Sequence, residues 1–178
     1  KTGSGRVDAP AAINAIDMGD IIFKELTFTD ENNNSKINVG EEIELDITFE
    51  NTSDDSFDNV KAVLKCTNDL VNITNGNVEI NNIAANQIFN INEFSFIADN
   101  DIKDQTTLFF DIEFYKDDKV ISTTRFSVVT FDKDLLFSEV IVRNDDNNNG
   151  ILEAGETADL VVVINNRGRE IALNVNGI

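Results

Sequence analysis

Apolar and polar side chains alternate along much of this chain. Ile43, Leu45, Ile47 and Phe49 fall on one side of an extended segment and Glu42, Glu44, Asp46 and Thr48 on the other, and Phe110, Ile112 and Phe114 oppose Asp111 and Glu113 in the same way. A period of two is that of an antiparallel strand with one face on a core and one in water. Further strands are expected near 21–29, 59–66, 76–82, 87–98 and 119–131, with "YKDDKV" as a hairpin connection. Within 87–98 the apolar phase slips between Ile91 and Phe94, as a bulge at Asn92 or Glu93 would cause. Roughly seven strands in about 110 residues predict an all-β fold, an immunoglobulin-like antiparallel sandwich.

One stretch departs from this pattern. "GSGRVDAPAAINAI", Gly3 to Ile16, predicts a short helix: Asp8 is a cap, Pro10 suits an early turn, and Ala11, Ala12, Ile13, Ala15, Ile16 and Met18 supply an apolar side.

The chain also repeats itself. The 34 residues from Asp30, "DENNNSKINVGEEIELDITFENTSDDSFDNVKAV", match the 34 from Asp145, "DDNNNGILEAGETADLVVVINNRGREIALNVNGI", without a gap at an offset of 115, with ten identities. Repeats of domain size mark tandem modules. The second copy stops at Ile178 where the first continues for about 70 residues, so one complete module and the first strands of a second are expected. Three strands are expected in that second part: Leu135 to Val142, Ala158 to Ile164 and Ile171 to Val175. "LVVVI" at Leu160 to Ile164 is apolar on both faces and needs cover, either on the first module or on another copy as a homodimer through the truncated second module.

Each copy opens on a loop with a ligand order. A twelve-residue calcium loop of EF-hand type places oxygen side chains at positions 1, 3, 5, 9 and 12, a backbone carbonyl at 7, Gly at 6 and an apolar residue at 8. The second loop fills them all with Asp145, Asn147, Asn149, Glu153 and Glu156, the Ile151 carbonyl, Gly150 and Leu152. The first supplies Asp30, Asn32, Asn34, Asn38 and Glu41, the Lys36 carbonyl and Ile37, and departs once, with Ser35 at the glycine position. Two carboxylates against three make the first the weaker expected Ca²⁺ site. The likeness to EF-hands lies in ligand order alone, since strands rather than helices flank these loops.

Composition narrows the function. Thirty-three acidic against fourteen basic residues give a net charge of −19, which repels a phosphate backbone, so no nucleic-acid partner is expected. Carboxylates and Asn amides suit a hard cation. The sequence has no His and one cysteine, Cys66, so a zinc site and an intrachain disulfide are not expected, and Cys66 reads as a small apolar residue of a strand. No apolar run approaches the length of a membrane span. A Ser-His-Asp triad cannot be assembled without His, and no pair of carboxylates sits in an apolar setting that would tune it for acid–base work.

Two resemblances add to this reading. "ITFENTSDDSFDNVKAVL" and "VVVINNRGREIALNVNGI" resemble the strand, Asn-rich turn and "NV" strand of bacterial immunoglobulin-like modules of the CARDB kind, which occur in tandem in exported and surface proteins. "GSGRVDAPAA", through Gly3, Gly5, Arg6, Val7, Asp8, Ala9 and Ala12, is similar to the end of the catalytic domain of subtilisin-like serine proteases (subtilases), where such a phrase leads into the last helix. The resemblance implies a tail at 1–19 from the end of a protease domain, a sandwich at 20–131 and a truncated second module at 132–178. It also implies a secreted or cell-surface parent that is a subtilisin-like endopeptidase, with the catalytic residues upstream. The expected role is a non-catalytic, calcium-stabilised accessory module of that protease, serving as spacer, stabiliser or docking surface for a protein substrate. The alternative is an adhesion or stalk module of a bacterial surface protein with another surface partner.

Overall fold

The computed structural model describes residues 16–176, and among these it contains strands and no helix. Thirteen strands form: β1 (Ile16–Gly19), β2 (Ile21–Asp30), β3 (Ile37–Asn38), β4 (Glu42–Asn51), β5 (Phe57–Cys66), β6 (Val71–Asn75), β7 (Asn77–Ile83), β8 (Ile88–Ile91), β9 (Ser95–Ala98), β10 (Thr107–Lys116), β11 (Lys119–Phe131), β12 (Leu135–Arg143) and β13 (Asp159–Asn166). They fall into two compact units divided between Phe131 and Asp132.

In the first unit two sheets enclose one core. One sheet runs β2-β4-β9-β6 with β8 also on β4; the other runs β1-β11-β10-β5-β7, with β3 added parallel to β11. Strands A, B, E and D of an immunoglobulin-like sandwich oppose G, F and C in this layout. The alternation decides what is inside: Ile43, Leu45, Ile47 and Phe49 of β4 and Phe110, Ile112 and Phe114 of β10 are buried, while Glu44 and Asp46 remain outside. Phe49 meets Phe114 edge-on at 5.1 Å and stacks with Phe89 at 5.7 Å, and Phe110 stacks with Phe126 at 5.4 Å. Offset and edge-on rings of this kind add to the energy of burial.

The phase slip is a bulge. Glu44 pairs with Ser95 and Ile47 with Ile91, so four residue steps oppose three. The extra residue lies in Asn92–Phe94, where Leu45 N–H still donates to the Phe94 carbonyl at 2.8 Å. It divides the expected 87–98 strand into β8 and β9 while returning Phe96 and Ala98 to the core.

The predicted helix lies outside the described residues up to residue 15, and its last positions are strand instead. Ile16–Gly19 pairs antiparallel with β11. Asp17 Oδ1 accepts from Phe23 N–H at 3.1 Å and from Thr124 Oγ1 at 2.8 Å, and Gly19, at φ 115, turns the chain into β2. A Cβ on Gly19 would stand 2.6 Å from the Ile121 carbonyl oxygen. At Ile16–Gly19 pairing with the edge of β11, a tertiary effect, decides the conformation.

The second unit is a two-stranded antiparallel ribbon, β12 against β13. Ile171–Val175, expected as a third strand, is irregular, with Asn174 at φ 53. Its counterpart in the repeat, residues 56–60, leads into β5, which is held between β10 and β7; no such neighbours flank Ile171–Val175 among the described residues of this unit.

Candidate metal centre

Both ligand loops connect the two strands of a hairpin, and both turn at the same left-handed positions. Asn33 and Asn148 are each at φ 56; Ser35 is at φ 61 where Gly150 is at φ 77; Gly40 is at φ 83 where Gly155 is at φ 91. Position 6 therefore adopts the left-handed conformation in both, at a steric cost for Ser35 that Gly150 avoids.

The hydrogen bonds repeat as well. Asn34 N–H donates to Asp30 Oδ2 at 2.8 Å and Asn149 N–H to Asp145 Oδ2 at 2.8 Å. Lys36 N–H donates to Asn34 Oδ1 at 2.8 Å and Ile151 N–H to Asn149 Oδ1 at 2.7 Å. Asn38 N–H donates to Glu41 Oε1 at 3.1 Å and Glu153 N–H to Glu156 Oε2 at 3.2 Å. Position 3 faces positions 9 and 12: Asn32 Nδ2 reaches Asn38 Oδ1 at 3.1 Å and Glu41 Oε2 at 2.7 Å, and Asn147 Nδ2 reaches Glu153 Oε2 at 2.8 Å and Glu156 Oε1 at 2.6 Å. All five side-chain positions of each expected set are thus joined in one network. The Lys36 and Ile151 carbonyls, the expected position-7 ligands, belong to the same two loops.

The pattern extends to two residues that the ligand order does not identify. Glu42 N–H donates to Glu31 Oε1 at 3.4 Å and Thr157 N–H to Asp146 Oδ2 at 3.3 Å, so an acidic residue after position 1 closes each loop onto the residue after position 12. The signal was available in the repeat, which pairs Glu31 with Asp146.

The loops differ in their support. In the first unit Asp30, Asn38 and Glu41 are buried and Ile37 is 1% exposed; β3 pairs with β11, and Gly40 N–H donates to the Ala98 carbonyl at 2.7 Å. Gly40 sits at φ 83, a left-handed conformation that favours glycine, with Asn100 Oδ1 2.5 Å from where a Cβ would stand. In the second loop Asp145 is buried, but Ile151 and Leu152 are 61% and 50% exposed.

Among the described residues no three His, Cys, Asp or Glu side chains gather as a metal-holding group. The carboxylates of each loop are linked through Asn amides instead. An amide offers one oxygen as well as its NH₂ group, so oxygen donors are present at the positions a hard cation requires. The Asn32 and Asn34 oxygens each accept one N–H, from Asn34 at 3.0 Å and Lys36 at 2.8 Å, and an amide oxygen keeps a second lone pair that a cation can take.

Elsewhere polar groups pair on the open outer face of the first unit. Lys65 Nζ donates to Glu113 Oε2 at 2.6 Å and to Tyr115 Oη at 3.2 Å on the outer face of β5 and β10. Tyr115 Oη also donates to Glu113 Oε2, and the bonds from Lys65 and then Tyr115 hold the Glu113 carboxyl below its usual range, while those to Glu113 and Tyr115 hold the Lys65 ammonium above its own. Arg125 is raised by its two-pronged bond to Asp111 at 2.7 and 2.8 Å. Burial at the end of β5 pushes the Cys66 thiol up, which disfavours a reactive thiolate. An open depression of about 490 Å³ is lined chiefly by Lys61, Glu79, Tyr115, Asp117 and Asp118, without an apolar pocket. No helix of the described residues is long and apolar enough to cross a membrane. No family model matches the chain, and comparison with curated proteins gives no match either.

Proposed function

We propose that the chain is a non-catalytic, calcium-binding immunoglobulin-like accessory module with one Ca²⁺ site in each hairpin loop. The observation that carries this reading is the doubled loop: the same ligand order, the same three left-handed positions and the same side-chain network occur twice. A turn that merely joined two strands needs no such correspondence, because Asn/Asp-rich turns come in many sequences.

In the first loop Asp30, Asn32, Asn34, Asn38 and Glu41 would hold the ion with the Lys36 carbonyl. In the second, Asp145, Asn147, Asn149, Glu153 and Glu156 would do so with the Ile151 carbonyl. The second loop has the larger ligand charge and the first the firmer frame, and charge count and rigidity together set calcium affinity. As extracellular modules, both would bind in the weak range of about 10⁻⁴–10⁻³ M. At ten times its dissociation constant a site adds about 1.4 kcal/mol by mass action. The ion would therefore tune stability, with the Phe-rich core maintaining the fold. Thermal unfolding in Ca²⁺ and in EDTA tests this: a higher midpoint in Ca²⁺, not reproduced by equal ionic strength of NaCl, is expected, and equal midpoints refute it.

The setting we infer is an exported subtilisin-like protease, with the module following its catalytic domain as spacer, stabiliser or substrate-docking surface. The support is the phrase Gly3 to Ala12. A surface adhesion or stalk module is the second reading, favoured by the tandem repeat. The residues upstream of Lys1 separate them: a "GTSMAxP"-like serine motif some tens of residues earlier supports the protease, and further sandwich repeats support the stalk.

A further inference from the structure

The two hairpins correspond more closely than the ungapped repeat shows. β12 aligns with β2 at an offset of 114 and β13 with β4 at 115, so one residue is inserted before the second loop, at Asn144, which takes φ 51. With this shift the registers agree. β2 slips against β4 between Phe23 and Glu25, and β12 slips against β13 between Phe137 and Glu139. The turn after each hairpin matches too: Asn51 Nδ2 donates to the Asp55 carbonyl at 2.9 Å and Asn166 Nδ2 to the Glu170 carbonyl at 2.7 Å, while Thr52 and Arg167 each donate N–H to the carbonyl before their hairpin at 2.8 Å.

The correspondence fixes which face of the ribbon is the inner one. Val140, Val162 and Ile164 occupy the places of Leu26, Ile47 and Phe49. The first three are 45%, 55% and 46% exposed, while the latter are 7%, 0% and 0% exposed beneath the opposite sheet. Leu135, Phe137 and Leu160 continue the same face, and no charged side chain interrupts it.

We infer that this face is a docking surface for an antiparallel sheet with the strand pattern of β5 and β10, that is, small aliphatic side chains (Val60, Ala62, Leu64) beside large ones (Phe110, Ile112, Phe114). The first unit shows that cover on an equivalent hairpin. Size supports the same occupant. Val142, Val162 and Ile164 are smaller than Phe28, Ile47 and Phe49, so the face complements a Phe-bearing sheet better than a second copy of itself. The unpaired Ile171–Val175 segment fits as well, because its counterpart leads into β5, which is a strand only between β10 and β7.

The test joins a copy of residues 64–131 to Ile178, which corresponds to Val63 in the repeat, and follows amide exchange and sedimentation. The extended chain should remain monomeric, and exchange at Val140 and Val162 should slow by on the order of a hundredfold or more relative to the 178-residue chain. Val162→Asp in the extended chain should abolish that gain and leave β4 and β10 protected. A second extended chain carrying Val142→Phe and Ile164→Phe restores the first hairpin's side chains and guards against a packing mismatch. Unchanged exchange in both extended chains overturns the inference. So does a 178-residue chain that sediments as a dimer with these amides already protected, which would make a second copy the occupant.

Discussion

Asn51 is wholly buried at the end of β4, and replacing it by alanine separates the contribution of burial from that of hydrogen bonding. Its Nδ2 donates to the carbonyls of Asp55 and Ala84, both at 2.9 Å, and its Oδ1 accepts from Ser53 N–H and Oγ, both at 3.0 Å. Three of these partners are main-chain groups that Asn51→Ala leaves without their bond. At about 1 kcal/mol net per bond the loss is about 2–3 kcal/mol, which lowers the midpoint of a domain near 100 residues by about 10 °C. Asn166 makes the matching bonds to Gly168 N–H at 3.1 Å and the Glu170 carbonyl at 2.7 Å, but it is exposed. Water replaces them there, so Asn166→Ala should cost under about 1 kcal/mol. Tyr115 is the one tyrosine of a chain without tryptophan and lies on β10, so its fluorescence follows the first unit alone. Asn51→Ala should shift that transition and Asn166→Ala should leave it in place. Asn51→Asp should destabilise at least as much as alanine, because it sets a carboxylate oxygen against two carbonyls. Equal shifts for Asn51→Ala and Asn166→Ala, or a loss under about 0.5 kcal/mol for the former, would refute the reasoning.

Three further outcomes follow from particular residues. Glu41→Ala and Glu156→Ala should each remove their own Ca²⁺ site and reduce the calorimetric stoichiometry by one, with far-ultraviolet circular dichroism unchanged, because position 12 normally supplies two ligand oxygens. Ser35→Gly should stabilise the first unit by a few tenths to about 1 kcal/mol in urea titration, since a left-handed L-residue costs about 1–2 kcal/mol and the added glycine entropy returns about half of that. The Glu113 carboxyl is lowered in the folded state by its bonds to Lys65 and Tyr115; its contribution is therefore present above the unfolded value near pH 4.5 and lost as pH falls through the folded one. For so exposed a pair it amounts to under about 1 kcal/mol, and Glu113→Gln should flatten the acid limb of the stability curve by that amount.

The sandwich was legible where one face of a strand is buried and the other wet. Such is the case for β4, β10 and β11, and the bulge after Ile91 showed itself as a phase slip. Elements without that contrast stayed hidden. β3 is two residues long, and β6 reads as Asn-rich polar chain; Gly76 carries the backbone from β6 in one sheet to β7 in the other. Ile16–Gly19 was masked by the alanine-rich stretch before it, because pairing with β11 is a tertiary effect that local propensity does not contain. The likeness of β12 to β2 escaped an ungapped comparison through the single residue inserted at Asn144. In the loops, ligand order, the glycine at position 6 and the apolar residue at position 8 were all readable. The support given to the first loop by β11 and Ala98 was not, since those residues lie 57 or more positions further along the chain.

Titration of CaCl₂ into the EDTA-treated chain, followed by isothermal calorimetry, tests the two-site account most directly. The account predicts two bound ions per chain at dissociation constants of about 10⁻⁴–10⁻³ M, falling to one in Glu41→Ala or Glu156→Ala and to none in the double variant. Absence of binding heat up to about 10 mM Ca²⁺, well above that range, or undiminished binding by the double variant, would contradict it.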